Sequence, residues 1–316
     1  MSTPACRCCG SPRTVQRGVK HGNFLHRDFE YFACADCEFL FVEPFAGYAI
    51  YNDDYYQGRG PDPYVDYASE YADYRRTDRV HEFEDLARIA ADFVRSSEQR
   101  VASSEHPAPE SSTRYSPLRW LDFGCGAGGL LMFLRDHGTL AGRPLEVTGH
   151  DVGSYAEKLQ RRDGFRVLGL DELAALPDAQ FDVISLIEVI EHIPEPSPTI
   201  ALAARLLRPG GLLLLTTGNM DCPVARRQGL DFGYVLPEIH VSHFTPRCLA
   251  KLYARHGLQP HAVRYDGVVR FKLIKTVRRP ALKPLFRLVA RLPGVVALLD
   301  HLYGVSAMPC AVKAAS

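Results

Sequence analysis

The sequence predicts an α/β protein in which a parallel sheet carries helices on both faces, with a small cysteine module ahead of it. Three observations predict it. From Leu118 onward, short apolar runs alternate with helical stretches, the texture of βαβ units whose right-handed crossovers keep the strands parallel. The stretch WLDFGCGAGGLLMFLRDHG, Trp120 to Gly138, reads as a strand, a glycine-rich turn and a helix. Near the N-terminus, Cys6 with Cys9 and Cys34 with Cys37 form two C-x-x-C pairs.

The 316 residues, 46% hydrophobic and 23% charged, give room for one large domain and a smaller module. The formal charge of zero argues against a chain-wide electrostatic footprint, so nucleic acid is not an expected partner. No apolar run reaches the roughly 18 residues that a membrane-spanning helix needs, and MSTPACRCCG has no apolar signal region, so a cytoplasmic protein is expected. In that setting nine cysteines read as metal ligands or reduced thiols rather than a disulfide framework.

The chain divides by texture. Residues 1–44 carry the paired cysteines and aromatic β-like runs such as DFEYFAC and CEFLFV. Residues 45–95 are rich in Tyr and Asp and end in RVHEFEDLARIAADFV, whose apolar residues recur at three and four as in a helix; this segment is expected on the substrate side. Residues 96–117 hold almost nothing apolar and read as a flexible linker. Residues 118–316 form the main domain, with RWLDFG, LEVTGHD, FRVLGL, FDVISLI and GGLLLLTTG as strands. One helix is expected to stop at Gly138, another in RPGG at Arg208 to Gly211, and a third to open on Thr245 and Pro246 and stop at Gly257.

In such sheets a nucleotide-like cofactor enters at the first glycine loop, beyond the strand ends. Gly124, Gly126 and Gly129 meet G-x-G-x-x-G, whereas Gly124, Gly126 and Gly128 meet G-x-G-x-G. The neighbours decide between them. A carboxylate at Asp122, two residues before the loop, works against a pyrophosphate and suits the cationic amino-acid tail of a sulfonium nucleoside, which favours S-adenosylmethionine over NAD. Asp151, ending the second strand, is positioned for ribose hydroxyls; its plainer use is as a helix N-cap.

Five pieces in order, LDFGCGAGG, VTGHDVGS, FDVISLIEVIEHIPEP, LLRPGGLLLLTT and HVSHFTPRCLAKLYARHGL, resemble a class I S-adenosylmethionine-dependent methyltransferase. The resemblance implies a Rossmann-like sheet of seven strands whose last two form an antiparallel pair. GLQPHAVRYDG and GVSAMPCAVKA are the candidates for that pair, with a helical insertion around 279–302 between them. It also implies that Asp122, Gly124, Cys125, Gly126 and Gly128 line the cofactor's methionine tail and ribose. Asp151 with Val152 would hold the ribose, Leu170 and Asp171 would edge the adenine, and Ile187 with Glu188 would close over the cofactor.

Four thiolates on two knuckles, Cys6, Cys9, Cys34 and Cys37, suit a structural tetrahedral Zn²⁺, although the gap of 24 residues between the pairs is long for a short ribbon. The plainer reading is a pair of reduced thiol turns, with Cys8 a substitute ligand or a bystander. A zinc ribbon ahead of a methyltransferase, with a Tyr-rich YNDDYYQG between, resembles deoxysugar C-methyltransferases and related sugar or glycan methyltransferases.

The methyl of a sulfonium is already activated, so the enzyme's task is to align a small-molecule acceptor and remove its proton. Histidine suits that task near neutral pH. His192, in EVIEHIPEP, and His240, in PEIHVSH, match the positions of active-site histidines in sugar C-methyltransferases, although Ile239 stands where those enzymes have Glu. His240 is the expected base, with His192 and Glu191 assisting; both histidines could equally be structural, and His243 could simply neighbour the next helix. A rival reading takes Glu188, Glu191 and His192 as E-x-x-E-H, resembling the divalent-metal site of ubiquinone-pathway O-methyltransferases acting on a catechol oxygen. A third is a cofactor-binding scaffold without turnover. Between Arg264 and Arg291, nine Lys or Arg stand against one acid, interleaved with apolar residues. The segment reads either as a peripheral contact for anionic lipid or a lipid-linked glycan, or as a solvated face packed over the sheet.

Overall fold

The computed structural model of the chain describes residues 3–62, 67–102, 116–277 and 279–314. The chain begins with a meander of β1 (Thr14–Gly22), β2 (Arg27–Cys34) and β3 (Leu40–Glu43), then α1 (Tyr67–Asp73) and α2 (Val80–Ala102). The main domain follows as β4 (Leu118–Phe123), α3 (Gly129–His137), β5 (Thr139–Leu140), β6 (Arg143–His150), α4 (Tyr155–Asp163), β7 (Arg166–Leu168), α5 (Leu170–Ala175) and β8 (Phe181–Ile187). It continues through α6 (Pro196–Leu206), β9 (Leu207–Thr216), α7 (Pro223–Gln228), β10 (Ser242–His243), α8 (Pro246–Arg255) and β11 (Leu258–His261). The last elements are α9 (Asp266–Thr276), α10 (Lys283–Val289), α11 (Pro293–Tyr303) and β12 (Cys310–Lys313).

The large sheet has the order β11-β12-β9-β8-β4-β6-β5, with β7 also on β6. The β4, β6, β7, β8 and β9 pairings are parallel, and β11 and β12 form the expected antiparallel pair at one edge. All seven residues of β8 are buried, five of them apolar, as in a strand covered on both faces. On one face α6 and α8 pack through Ile200, Ala203, Leu249 and Leu252. On the other, α2, α3 and α9 pack through Phe83, Leu86, Leu134 and Val269.

Four details depart from the sequence reading. The sheet has eight strands, not seven, because Thr139–Leu140 pairs antiparallel with β6; two residues are too short to carry a periodic pattern. The helix expected to end in RPGG stops at Leu206, and Arg208 to Gly211 belong to β9. Helix α2 runs to Ala102, into the segment read as a linker, because SSEQR continues the helix at little propensity cost; residues 103–115 of that segment lie outside the described residues. The helical insertion begins at Asp266 rather than near 279.

The small sheet is β1-β2-β3-β10, so its fourth strand comes from the main domain. Ser242 and His243 pair with Phe41 and Leu40, and Cys6, Phe39 and Phe41 share one core with Leu252 and Tyr253 of α8. The N-terminal module is thereby welded to the loop that follows β9.

The insertion is held by a buried carboxylate. Asp85 on α2 accepts hydrogen bonds from Gly267 N (2.5 Å) and Val268 N (3.1 Å), capping α9 from outside the helix. Asp85→Ala leaves both amides without that acceptor and is expected to lower stability by about 1–3 kcal/mol; thermal unfolding with an unchanged midpoint would show that the cap contributes nothing.

Candidate active site

The glycine loop joins β4 to α3. Gly124 has φ +80° and a Cβ there would meet Val189 Cγ2 at 2.5 Å, while at Gly128 (φ +79°) it would collide with Leu159. Only glycine satisfies both conditions. A hydrogen-bonded file stands beneath the loop: Trp120 Nε1 donates to Ser185 Oγ (2.9 Å), and Ser185 Oγ donates to Asp122 Oδ1 (2.7 Å). Burial lifts Asp122 to about 7 against that hydroxyl. A buried carboxylate with one hydroxyl donor is suited to a cation arriving from the cavity.

Asp151 organises the opposite side of the loop. Its Oδ2 accepts from Gly126 N (2.8 Å) and its Oδ1 from Gly153 N (2.6 Å) and from the Tyr56 hydroxyl (3.1 Å). Tyr56 thus offers Asp151 a hydroxyl, as a ribose would. It belongs to an aromatic wall: Tyr51, Tyr55, Tyr56, Tyr67 and Tyr155 pack ring against ring at centroid distances of 4.9–6.0 Å. Burial raises the Tyr51, Tyr55, Tyr56 and Tyr67 hydroxyls above their ordinary range, so they act as neutral donors at neutral pH.

Beyond the wall lies a cavity of about 1370 Å³, larger than the roughly 300–1,000 Å³ of a single drug-sized ligand. Asp122, Gly124, Cys125, Gly126, Asp151, Val152, Leu170, Ile187, Glu188, His192 and His240 all line it. Three of the expected residues do not. Gly128 packs against Leu159 at the start of α3, Asp171 is exposed in the first turn of α5, and Glu191 is fully buried behind the lining.

The histidines meet at the cavity's inner end. His192 and His240 lie edge to face at 4.9 Å between centroids. His240 Nδ1 is 2.6 Å from the Tyr234 carbonyl oxygen; a carbonyl only accepts, so Nδ1 carries the proton and Nε2 keeps its lone pair. His192 Nδ1 lies 3.1 Å from Ile239 O and 2.9 Å from the Tyr51 hydroxyl, which can donate as well as accept. Burial is the first cause that lowers both rings, His192 to about 4 and His240 well below its ordinary value. Both are neutral at pH 7. His243 is elsewhere: it is buried on β10 against Tyr31.

Glu191 Oε1 accepts from Tyr234 Oη (2.5 Å) and its Oε2 from Thr217 Oγ1 (2.9 Å), while burial and then Glu188 push it to about 8. Glu188 adopts φ +54°, a conformation uncommon for a residue with a side chain, and faces Lys272 of α9 at 3.6 Å. Ligand atoms of Glu191, His192 and His240 all lie within 4.8 Å of one another. Sequence reasoning missed Tyr234, Thr217 and Lys272. Thr217 closes the piece LLRPGGLLLLTT, Lys272 lies in the basic segment and Tyr234 stands six residues before His240, yet none carried a signal for this site. The cysteines also meet: Cys6, Cys9, Cys34 and Cys37 have Sγ atoms within 4.8 Å of one another, and Cys8, Cys37 and Cys248 form an adjoining group.

Comparison with known proteins matches a methyltransferase domain over residues 78–263, more than half of the chain. A ubiquinone biosynthesis O-methyltransferase of Bordetella pertussis is 33% identical over 169 residues, covering 49% of this chain and 68% of the relative. One of Xanthomonas oryzae pv. oryzae is 38% identical over 109 residues, covering 32% and 43%. Solved S-adenosylmethionine-dependent methyltransferases from Methanosarcina mazei (22% identity, TM-score 0.36, 46% of this chain and 81% of that one) and Aquifex aeolicus (21%, 0.35, 46% and 75%) are also similar. With a sheet parallel at its centre, a glycine loop and a carboxylate at each side of it, this chain belongs to the methyltransferase-domain family and is an S-adenosylmethionine-dependent methyltransferase.

Proposed function

We propose that the chain methylates a small, sugar-like or other natural-product acceptor, with His240 removing the acceptor's proton. The observation that carries this reading is the 2.6 Å contact of His240 Nδ1 with the Tyr234 carbonyl, which leaves a basic nitrogen on a residue lining the cavity. S-adenosylmethionine, when bound, supplies an electrophilic methyl group. The residues fit it: Asp122 for the ammonium of the methionine tail, Asp151 for the ribose, and Leu170 and Val152 as apolar edges. Tyr56 yields its place on Asp151 to the ribose or remains as a second donor beside it. His192 orients the acceptor beside His240, and Glu191, which accepts from the Tyr234 and Thr217 hydroxyls, steadies the pair from behind as charge develops.

One observation favours a second reading, a divalent cation at Glu191, His192 and His240: their ligand atoms already converge, and the similar proteins cited above are named as O-methyltransferases. Two histidines and one carboxylate would suit a transition metal that polarises a catechol-like oxygen. His240 would then be a ligand rather than the base. In the N-terminal module we assign Zn²⁺ to Cys6, Cys9, Cys34 and Cys37. Sγ separations of 3.6 Å for Cys6 and Cys37 and 3.5 Å for Cys9 and Cys34 are close to the edge of about 3.8 Å expected for a tetrahedron with bonds near 2.3 Å.

Four outcomes are expected. Calorimetry should detect S-adenosylhomocysteine and not NADH, with Gly124→Ala and Asp151→Ala each weakening binding at least about tenfold; undiminished binding in both would remove the loop from the site. In a screen of nucleotide-linked ketosugars and catechols, His240→Ala should cut turnover about a hundredfold or more with S-adenosylhomocysteine affinity retained. Because burial holds His240 below its ordinary value, the acid limb of the pH profile should fall below pH 6.5; a limb at or above 6.5, or loss of turnover on chelation without loss of structure, would favour the metal reading. Elemental analysis should find one zinc per chain, and less than about half with thiols reduced would dismiss the ribbon assignment.

A further inference from the structure

We propose that the insertion formed by α9, α10 and α11 is a docking surface for an anionic lipid bilayer, placing the mouth of the active-site cavity at the membrane interface. Thirteen large apolar side chains stand exposed among the described residues, and six of them, Leu282, Leu285, Leu288, Leu292, Leu298 and Tyr303, fall within this one insertion. Leu285, Leu288 and Leu292 are spaced by three and four, so they form a stripe along α10 and into the turn after it. Leu288 is 61% exposed and Leu292 56%. Such a stripe on a water-facing helix calls for a partner that can bury it.

Charge identifies the partner. From residue 267 to residue 299 the sequence contains eight Lys or Arg and no Asp or Glu; Lys272 and Arg287 pair with Glu188 and Asp78 of the main body. Arg279 and Arg291 are exposed, and Lys283 is half-buried. A second copy seated on this stripe through a two-fold axis would set these cations against themselves. An RNA backbone would satisfy the cations and leave the leucines uncovered. A bilayer with anionic headgroups satisfies both: leucines enter the headgroup and acyl boundary while Lys and Arg stay among the phosphates. No helix among the described residues is long and apolar enough to cross a membrane, so the contact is peripheral.

The same insertion lines the catalytic cavity through Lys272, Lys283, Arg287, Leu299 and Tyr303. Lys272 touches Glu188 and lies 5.8 Å from the Tyr234 ring centroid, so the surface that meets lipid is one helix away from the proton-transfer cluster. An amphiphilic acceptor held at the interface would reach His240 without crossing bulk water.

Flotation of the full-length protein with phosphatidylcholine vesicles, with and without about one third phosphatidylglycerol, tests this. Binding should be at least about tenfold stronger to the anionic vesicles, weaken with added salt, and fall at least about tenfold in Leu285→Asp/Leu288→Asp. S-adenosylhomocysteine affinity, read separately, should stay within about twofold of the parent, which distinguishes failure of docking from failure of the site. Equal or absent binding to the two vesicles, or binding indifferent to the double variant, overturns the proposal. So does a dimer that the variant dissociates, or RNA binding in the absence of vesicle binding.

Discussion

The pairing of Ser242 and His243 with Phe41 and Leu40 is a small contact on which the site's geometry depends. It draws the loop after β9 out of the main sheet and seats it on the N-terminal module. The bonds on either side are specific: Val42 N donates to Val241 O (3.1 Å) and Val241 N donates to Glu191 O (2.8 Å). One backbone residue therefore ties the module, the loop and the segment after β8 together. His240 precedes that residue, and its ring cannot drift far while both bonds hold. The module reinforces the clamp elsewhere. Lys20 Nζ donates to Leu230 O and Val235 O, each at 2.7 Å, and Glu238 accepts from Phe24 N and Leu25 N. The cysteine cluster lies in the module whose sheet takes its last strand from the loop that carries His240.

Around the clamp, burial does the electrostatic tuning. The same desolvation that raises Asp122 and Glu191 lowers His192 and His240, leaving a neutral pair of rings beside Glu191, a carboxyl that resists ionisation. A cluster with little net charge can accept a proton without first expelling one. Hydrogen bonds to fixed carbonyls then choose which nitrogen is basic, which is a geometric decision made by the backbone rather than by pKa.

Much of this was legible in the sequence because it is local. The glycine loop, Asp122, Asp151 and the two histidines sit within short stretches whose spacing and strand-end positions carry meaning, and the edge pair β11 and β12 followed from the resemblance those stretches carry. What was not legible is long-range. Nothing near Tyr234 announces that its carbonyl orients His240 or that its hydroxyl meets Glu191, because those contacts depend on how the loop after β9 folds back. Tyr56 was visible only as one of many tyrosines, and its approach to Asp151 spans 95 residues. The strand β10 is two residues long, below any periodicity, and exists because β3 offers it an edge. Gly128 was placed at the cofactor by motif position; in the structure it is outside the cavity lining, and a Cβ there would collide with Leu159.

The central claim is that His240 is a neutral imidazole with its proton on Nδ1 and a free Nε2. Long-range nitrogen–proton correlation spectra of ¹⁵N-histidine-labelled protein, with His240 assigned through His240→Gln, measure this directly. The account predicts a protonated Nδ1 and an imine-type Nε2 at pH 7, persisting below pH 6.5. A proton on Nε2, or an imidazolium at neutral pH, would contradict it.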